Sequence, residues 1–114
     1  MSASARITEA VNTSRRALGV SMIRGGAGAV GVLVLPGVSM PDGVQLAPSG
    51  DGCYAGAVDL DRARELVTLR APAAASRLDQ APPVGNRWCL VIDVRGVVLV
   101  PFTVPGKGSP TEAS

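Results

Sequence analysis

Hydrophobic positions follow one rule in the first eighteen residues and another afterwards. Ile7, Ala10, Val11, Ser14, Ala17 and Leu18 recur three and four residues apart, the spacing that places side chains on one stripe of a helix. The pattern predicts a helix over about residues 4–18, capped by Ser2 or Ser4 and stopped by Gly19. Arg15 and Arg16 would then complement the dipole in its last turn. From Val20 the periodicity is lost. Short apolar pieces, Val20 to Ile23, Ala29 to Leu35 and Val44 to Leu46, are separated by GG, PG, PDG and PSGDG, which is turn chemistry.

The segment from Val58 to Arg70 fits two patterns. Leu60, Ala63, Leu66 and Val67 suit a helix, while Leu66-Val67-Thr68-Leu69 suits a strand, so the reading is a short helix turning into a strand. Ala71 to Val84 reads as a surface connection with one helical turn over Ser76 to Gln80. Two β-branched runs then flank Arg95-Gly96 within Trp88 to Val104, which predicts a β-hairpin. Pro101 limits its second strand to an edge or a bulge. Val97-Val98-Leu99-Val100 is apolar on both faces and needs cover from the rest of the domain or from a neighbour.

These elements predict a mainly β, α+β fold: a small antiparallel barrel or sandwich with an N-terminal α-helix and a C-terminal β-hairpin. Residues 1–104 form a single domain with its β-rich body over about 20–104, and residues 105–114 form a loose tail. At 114 residues the chain is long enough to bury a core without staples. Val, Leu and Ala make that core, because Tyr54, Trp88 and Phe102 are the only aromatics.

Ten of the eleven basic residues are arginine, a side chain suited to flat bidentate contacts, yet the formal net charge is only +2. Nucleic acid is therefore not an expected partner, and no interleaved basic-aromatic pattern offers a stacking platform. The sequence contains no histidine, which excludes histidine-activated serine or cysteine nucleophiles. Cys53 and Cys89 match neither a redox pair nor a zinc site, and Cys89 reads as a small buried hydrophobe. The glycines after Arg24 lack the lysine of a phosphate loop, and Asp42, Asp51 and Asp59 are too dispersed for a calcium loop. Asp59 and Asp61 would share one face of a strand and are the nearest approach to an acid-base pair, but Arg62 and Arg64 beside them favour a solvated surface. No catalytic, cofactor-binding or metal-ligating residue is assigned. Gly25 to Val38 is too short and glycine-rich to cross a membrane, and the first 22 residues lack a leader's apolar stretch, so a cytoplasmic, reducing setting is expected.

A short helix, glycine-rich strands, a long turn-rich loop and a closing hairpin follow one another in this chain. The best local features are Glu65-Leu66-Val67-Thr68-Leu69-Arg70, a connector, and then Gly85-Asn86-Arg87-Trp88-Cys89-Leu90-Val91-Ile92-Asp93-Val94. The order resembles the small head-tail joining proteins of tailed bacteriophages, although the Gly-Asp turn usual before their penultimate strand is missing. The resemblance implies a non-enzymatic structural subunit of the virion neck or tail, assembled in the host cytoplasm as a homo-oligomeric ring against portal and tail proteins. The loop over Gly37 to Gly56 would then reach outward to a neighbour. The alternatives are a small nucleic-acid-binding or regulatory module and a small enzyme using Asp59 and Asp61.

Overall fold

Two strands separated by more than fifty residues of sequence lie side by side at the centre of this protein. In the computed structural model, which describes residues 3–26 and 28–104, β1 (Val30–Val34) pairs in parallel with β4 (Arg87–Asp93), matching Gly31 to Cys89 and Val34 to Ile92. Every residue of β1 is buried, as are the last five of β4. Strands covered on both faces read as continuous apolar runs rather than alternating ones. VGVLV and CLVI are such runs.

The remaining strands add outward from this pair in antiparallel fashion. β3 (Cys53–Val58) joins β1, β2 (Leu46–Gly50) joins β3, and β5 (Gly96–Phe102) joins β4, giving the order β2-β3-β1-β4-β5. Helices α1 (Ala3–Thr13) and α2 (Arg15–Gly25) cover one face, where Ile7, Val11, Leu18 and Met22 meet Leu33, Cys89, Val91 and Phe102. On the other face α3 (Leu60–Arg70) and α4 (Ala75–Leu78) place Ala63, Leu66, Val67 and Leu78 against Val32, Leu90, Ile92 and Leu99. This is an α+β fold with four α-helices and a five-stranded mixed open sheet among the described residues.

Several expectations are corrected. The fold is neither mainly β nor a closed barrel, because β2 and β5 are sheet edges with no strand between them. The physical reason lies in the unbroken apolar runs, which call for helices on both faces. The single helix over residues 4–18 is instead two helices meeting at Ser14. Helical hydrogen bonding passes through the junction, from Ser14 N–H to Ala10 O at 3.0 Å and from Leu18 N–H to Ser14 O at 2.9 Å. The expected capping serine at 2 or 4 lies outside the described residues and side chains. Gly19 does not stop the helix: it is buried inside α2 beside Leu18, and Val20 to Ile23 are helical rather than a strand. Arg15 and Arg16 therefore open α2 instead of closing a helix. Arg15 donates to Asn12 Oδ1 at 2.8 Å and lies over the Phe102 ring, 5.4 Å from its centroid. The segment from Leu60 to Arg70 stays helical throughout, because Ala63, Leu66 and Val67 all face the sheet.

The region from Gly37 to Gly56, expected as an outward-reaching loop, holds all of β2 and four of the six residues of β3. Within PSGDG only Asp51 and Gly52 turn, with φ of 52° and 80°. Two successive positive φ values make the hairpin turn that Asp-Gly favours. The expected piece at Val44 to Leu46 moves forward to Leu46–Gly50. The C-terminal hairpin forms as expected, with Val94-Arg95 at its tip and Pro101 on edge strand β5. The helical turn near residues 76–80 is α4, and it contributes Leu78 to the core. The predicted tail, residues 105–114, lies outside the described residues.

β2 approaches β3 closely at Gly56, where a Cβ would press on the Gln45 carbonyl oxygen and come within 2.8 Å of Leu46 Cδ2. Backbone cannot yield as a side-chain tip can, so Gly56→Ala should lower stability by about 1–3 kcal/mol. Urea denaturation measures this, and an unchanged midpoint would contradict the close approach.

Candidate functional site

Where neighbouring strands run parallel, their carboxyl ends leave room for a crevice, because the chain departs from each strand in a different direction. β1 and β4 end here at Val34 and Asp93. A cavity of about 200 Å³ opens beside them under α1, lined by residues that include Arg6, Glu9, Thr13, Asp51, Cys53 and Asp93. Its floor is partly apolar, from Ala10, Leu35 and Pro36. Three carboxylates face one guanidinium, a formal charge of −2.

The Asp93 side chain is only 5% exposed, so its charge needs internal partners. Arg6 of α1, itself half exposed, donates to Oδ2, and the Val94 backbone N–H donates to Oδ1 at 2.8 Å. That ion pair fastens the first helix to the end of a central strand. Glu9 and Asp51 make no ion pair among the described residues, and no cluster there of three or more histidine, cysteine or acidic side chains could hold a metal ion. A cavity this size falls below the roughly 300–1,000 Å³ of small-molecule sites. It suits one extended side chain. Across the strand ends a shallower depression presents Arg70 and Arg95 beside Gly37 and Val94.

The two thiols are free and buried on the α1–α2 face of the sheet. Burial pushes the Cys89 thiol up from 9.0 to about 12. Cys53 is also raised, first by burial and then by the Asp51 carboxylate. Both directions disfavour the thiolate, the nucleophilic form.

Asp59 and Asp61 do not share a face as they would in a strand. Asp59 is the N-cap of α3, its Oδ1 accepting from the Arg62 N–H at 2.8 Å, and Asp61 lies exposed in the first turn. Arg62 donates to Glu65 at 3.0 Å and to the Asp42 carbonyl, which pins the loop after β1, and Arg64 pairs with Asp79 at 2.6 Å. The glycines after Arg24 meet a helix C-terminus, where Arg87 donates to the Met22 and Gly26 carbonyls at 3.3 and 2.7 Å. A helix end that presents carbonyl oxygens disfavours phosphate.

No helix among the described residues is long and apolar enough to cross a membrane. The chain matches no protein-family model, no curated protein and no solved structure.

Sequence reasoning did not bring Arg6, Glu9, Asp51 and Asp93 together. No local signal could have done so, because their convergence depends on the parallel pairing of β1 with β4.

Two outcomes test these assignments. Asp59→Ala removes a helix cap and should cost about 1 kcal/mol, within a range of roughly 0.5–2; chemical denaturation reads it, and an unaltered stability would discount the cap. Because the folded-state pKa of Cys89 is raised, its contribution to stability is complete below pH 9 and is lost as pH climbs toward 12. The wild-type stability curve should fall across that window relative to Cys89→Ala, with a slope approaching about 1.4 kcal/mol per pH unit. Parallel curves would show that the thiol ionises equally well in both states.

Proposed function

We propose that this chain is a non-enzymatic structural subunit, a head-tail joining, neck or tail component of a tailed-bacteriophage virion that assembles as a ring. The reading rests on how its polar and apolar groups are used. Asp59 holds a helix end, Arg62, Arg64 and Arg87 tie segments together, and both thiols are held in the unreactive form. The observation that carries it is the open β5 edge. Seven residues, Gly96–Phe102, pair with β4 on one side and, among the described residues, with no strand on the other. Edges of that length recruit neighbouring chains unless they are blunted, and here Pro101 blunts only the far end. Exposed apolar side chains on outward surfaces, Val20, Ile23, Leu69, Val94 and Val98 among them, supply further contact area.

The partners on this reading are other copies of the chain and the portal, neck or tail proteins that a ring would bridge. Light scattering and negative-stain electron microscopy of the purified protein test it. A ring-sized mass with annular particles is expected. A strictly monomeric species at high micromolar concentration would sink the reading.

A further inference from the structure

Two surfaces at opposite ends of the parallel strand pair carry opposite charge. At the carboxyl end lies the crevice, with Glu9 and Asp51 unengaged above an apolar floor. At the amino end, about 20 Å away by the rise of seven strand residues, α2 terminates against the first residue of β4. Its outward face there consists of Val20, Ile23 and Arg24, with Val20 46% and Ile23 53% exposed. No acidic residue occurs anywhere in α2, and Arg24 has no partner among the described residues. An apolar, cationic knob thus stands at one end of the molecule and an apolar, anionic socket at the other.

We infer that the C-terminal end of α2 in one copy docks in the crevice of the next copy, with Arg24 set between Glu9 and Asp51 and with Ile23 and Val20 against the crevice rim. The inference rests on the reading of this chain as an assembling subunit and names the surfaces it would use. Charge complementarity carries it. A guanidinium suits paired carboxylates, and the cavity of about 200 Å³ has room for one such side chain. Because the knob and the socket are different surfaces, the contact is heterologous: each copy gives one and receives one, so copies add head to tail until the rotation closes a ring.

Reversing one charge at a time tests this. Arg24→Glu leaves the socket intact, Glu9→Arg leaves the knob intact, and both positions are exposed, so circular dichroism and a melting curve should show wild-type folding. Analytical ultracentrifugation of either variant alone should show self-association weakened by at least about tenfold. An equimolar mixture of the two should regain higher assembly with alternating copies, since Arg24 of one variant meets Glu9 of the other and the two substituted side chains, again of opposite charge, meet at the next contact. The double variant Arg24→Glu/Glu9→Arg should regain higher assembly, and wild-type assembly should weaken as salt rises. A wild-type ring that survives both reversals, or a mixture that assembles no better than either variant alone, would overturn the docking while leaving the structural-subunit reading in place. A wild-type protein that stays monomeric would end both.

Discussion

The parallel pairing of β1 with β4 is the constraint on which the rest of this molecule depends. A parallel pair cannot be joined by a tight turn, so the chain between the two strands must travel, and here it builds β2, β3, α3 and α4 on the way. A parallel pair also has no wet face. Val32 and Leu90 look toward α3, while Leu33 and Val91 look toward α1 and α2. The sheet is therefore sandwiched between helices, and the crevice at its carboxyl end follows from the same geometry.

Arginine is the fastener of this architecture. Arg6 binds α1 to the end of β4, Arg62 holds the loop after β1 to the start of α3, and Arg87 closes the end of α2 from the start of β4. Arg77 lies over Trp88, whose indole N–H donates to the Gln80 carbonyl at 2.8 Å, so the connector is folded back onto the strand that it precedes. Each clasp joins segments that no regular backbone ladder connects. A planar group with five donors serves that purpose better than a lysine, which gives the arginine bias a structural use.

Local elements were legible wherever one short-range signal decided them. The final hairpin, the turn at α4, the edge position of Pro101 and the buried character of Cys89 follow from patterns within a few residues. The errors arose where local and distant information compete. Gly19 has the local chemistry of a helix stop, but a glycine also lets a helix lie close against a sheet, and burial beside Leu18 decided for the latter. Leu66-Val67-Thr68-Leu69 has strand propensity, but α3 needed Leu66 and Val67 on its inward face. PSGDG has the composition of a single turn, yet only Asp51-Gly52 is the hairpin turn; Pro48 lies in β2, a sheet edge where proline is tolerated. The crevice was illegible for a different reason. Arg6, Glu9, Asp51 and Asp93 come from three remote stretches, and nothing in their spacing encodes the strand order that brings them together.

The two-sided burial of β1 has a consequence for the order of events on the ribosome. Val30–Val34 is synthesised more than fifty residues before its parallel partner Arg87–Asp93. A nascent chain that already carries α1, α2, β1 and β3 must hold one edge of a valine-rich ribbon unpaired until β4 emerges. Slow, sequence-distant pairing of that kind leaves partly made chains prone to cling to one another. Crowding of neighbouring polysomes is thus a hazard that this topology builds in.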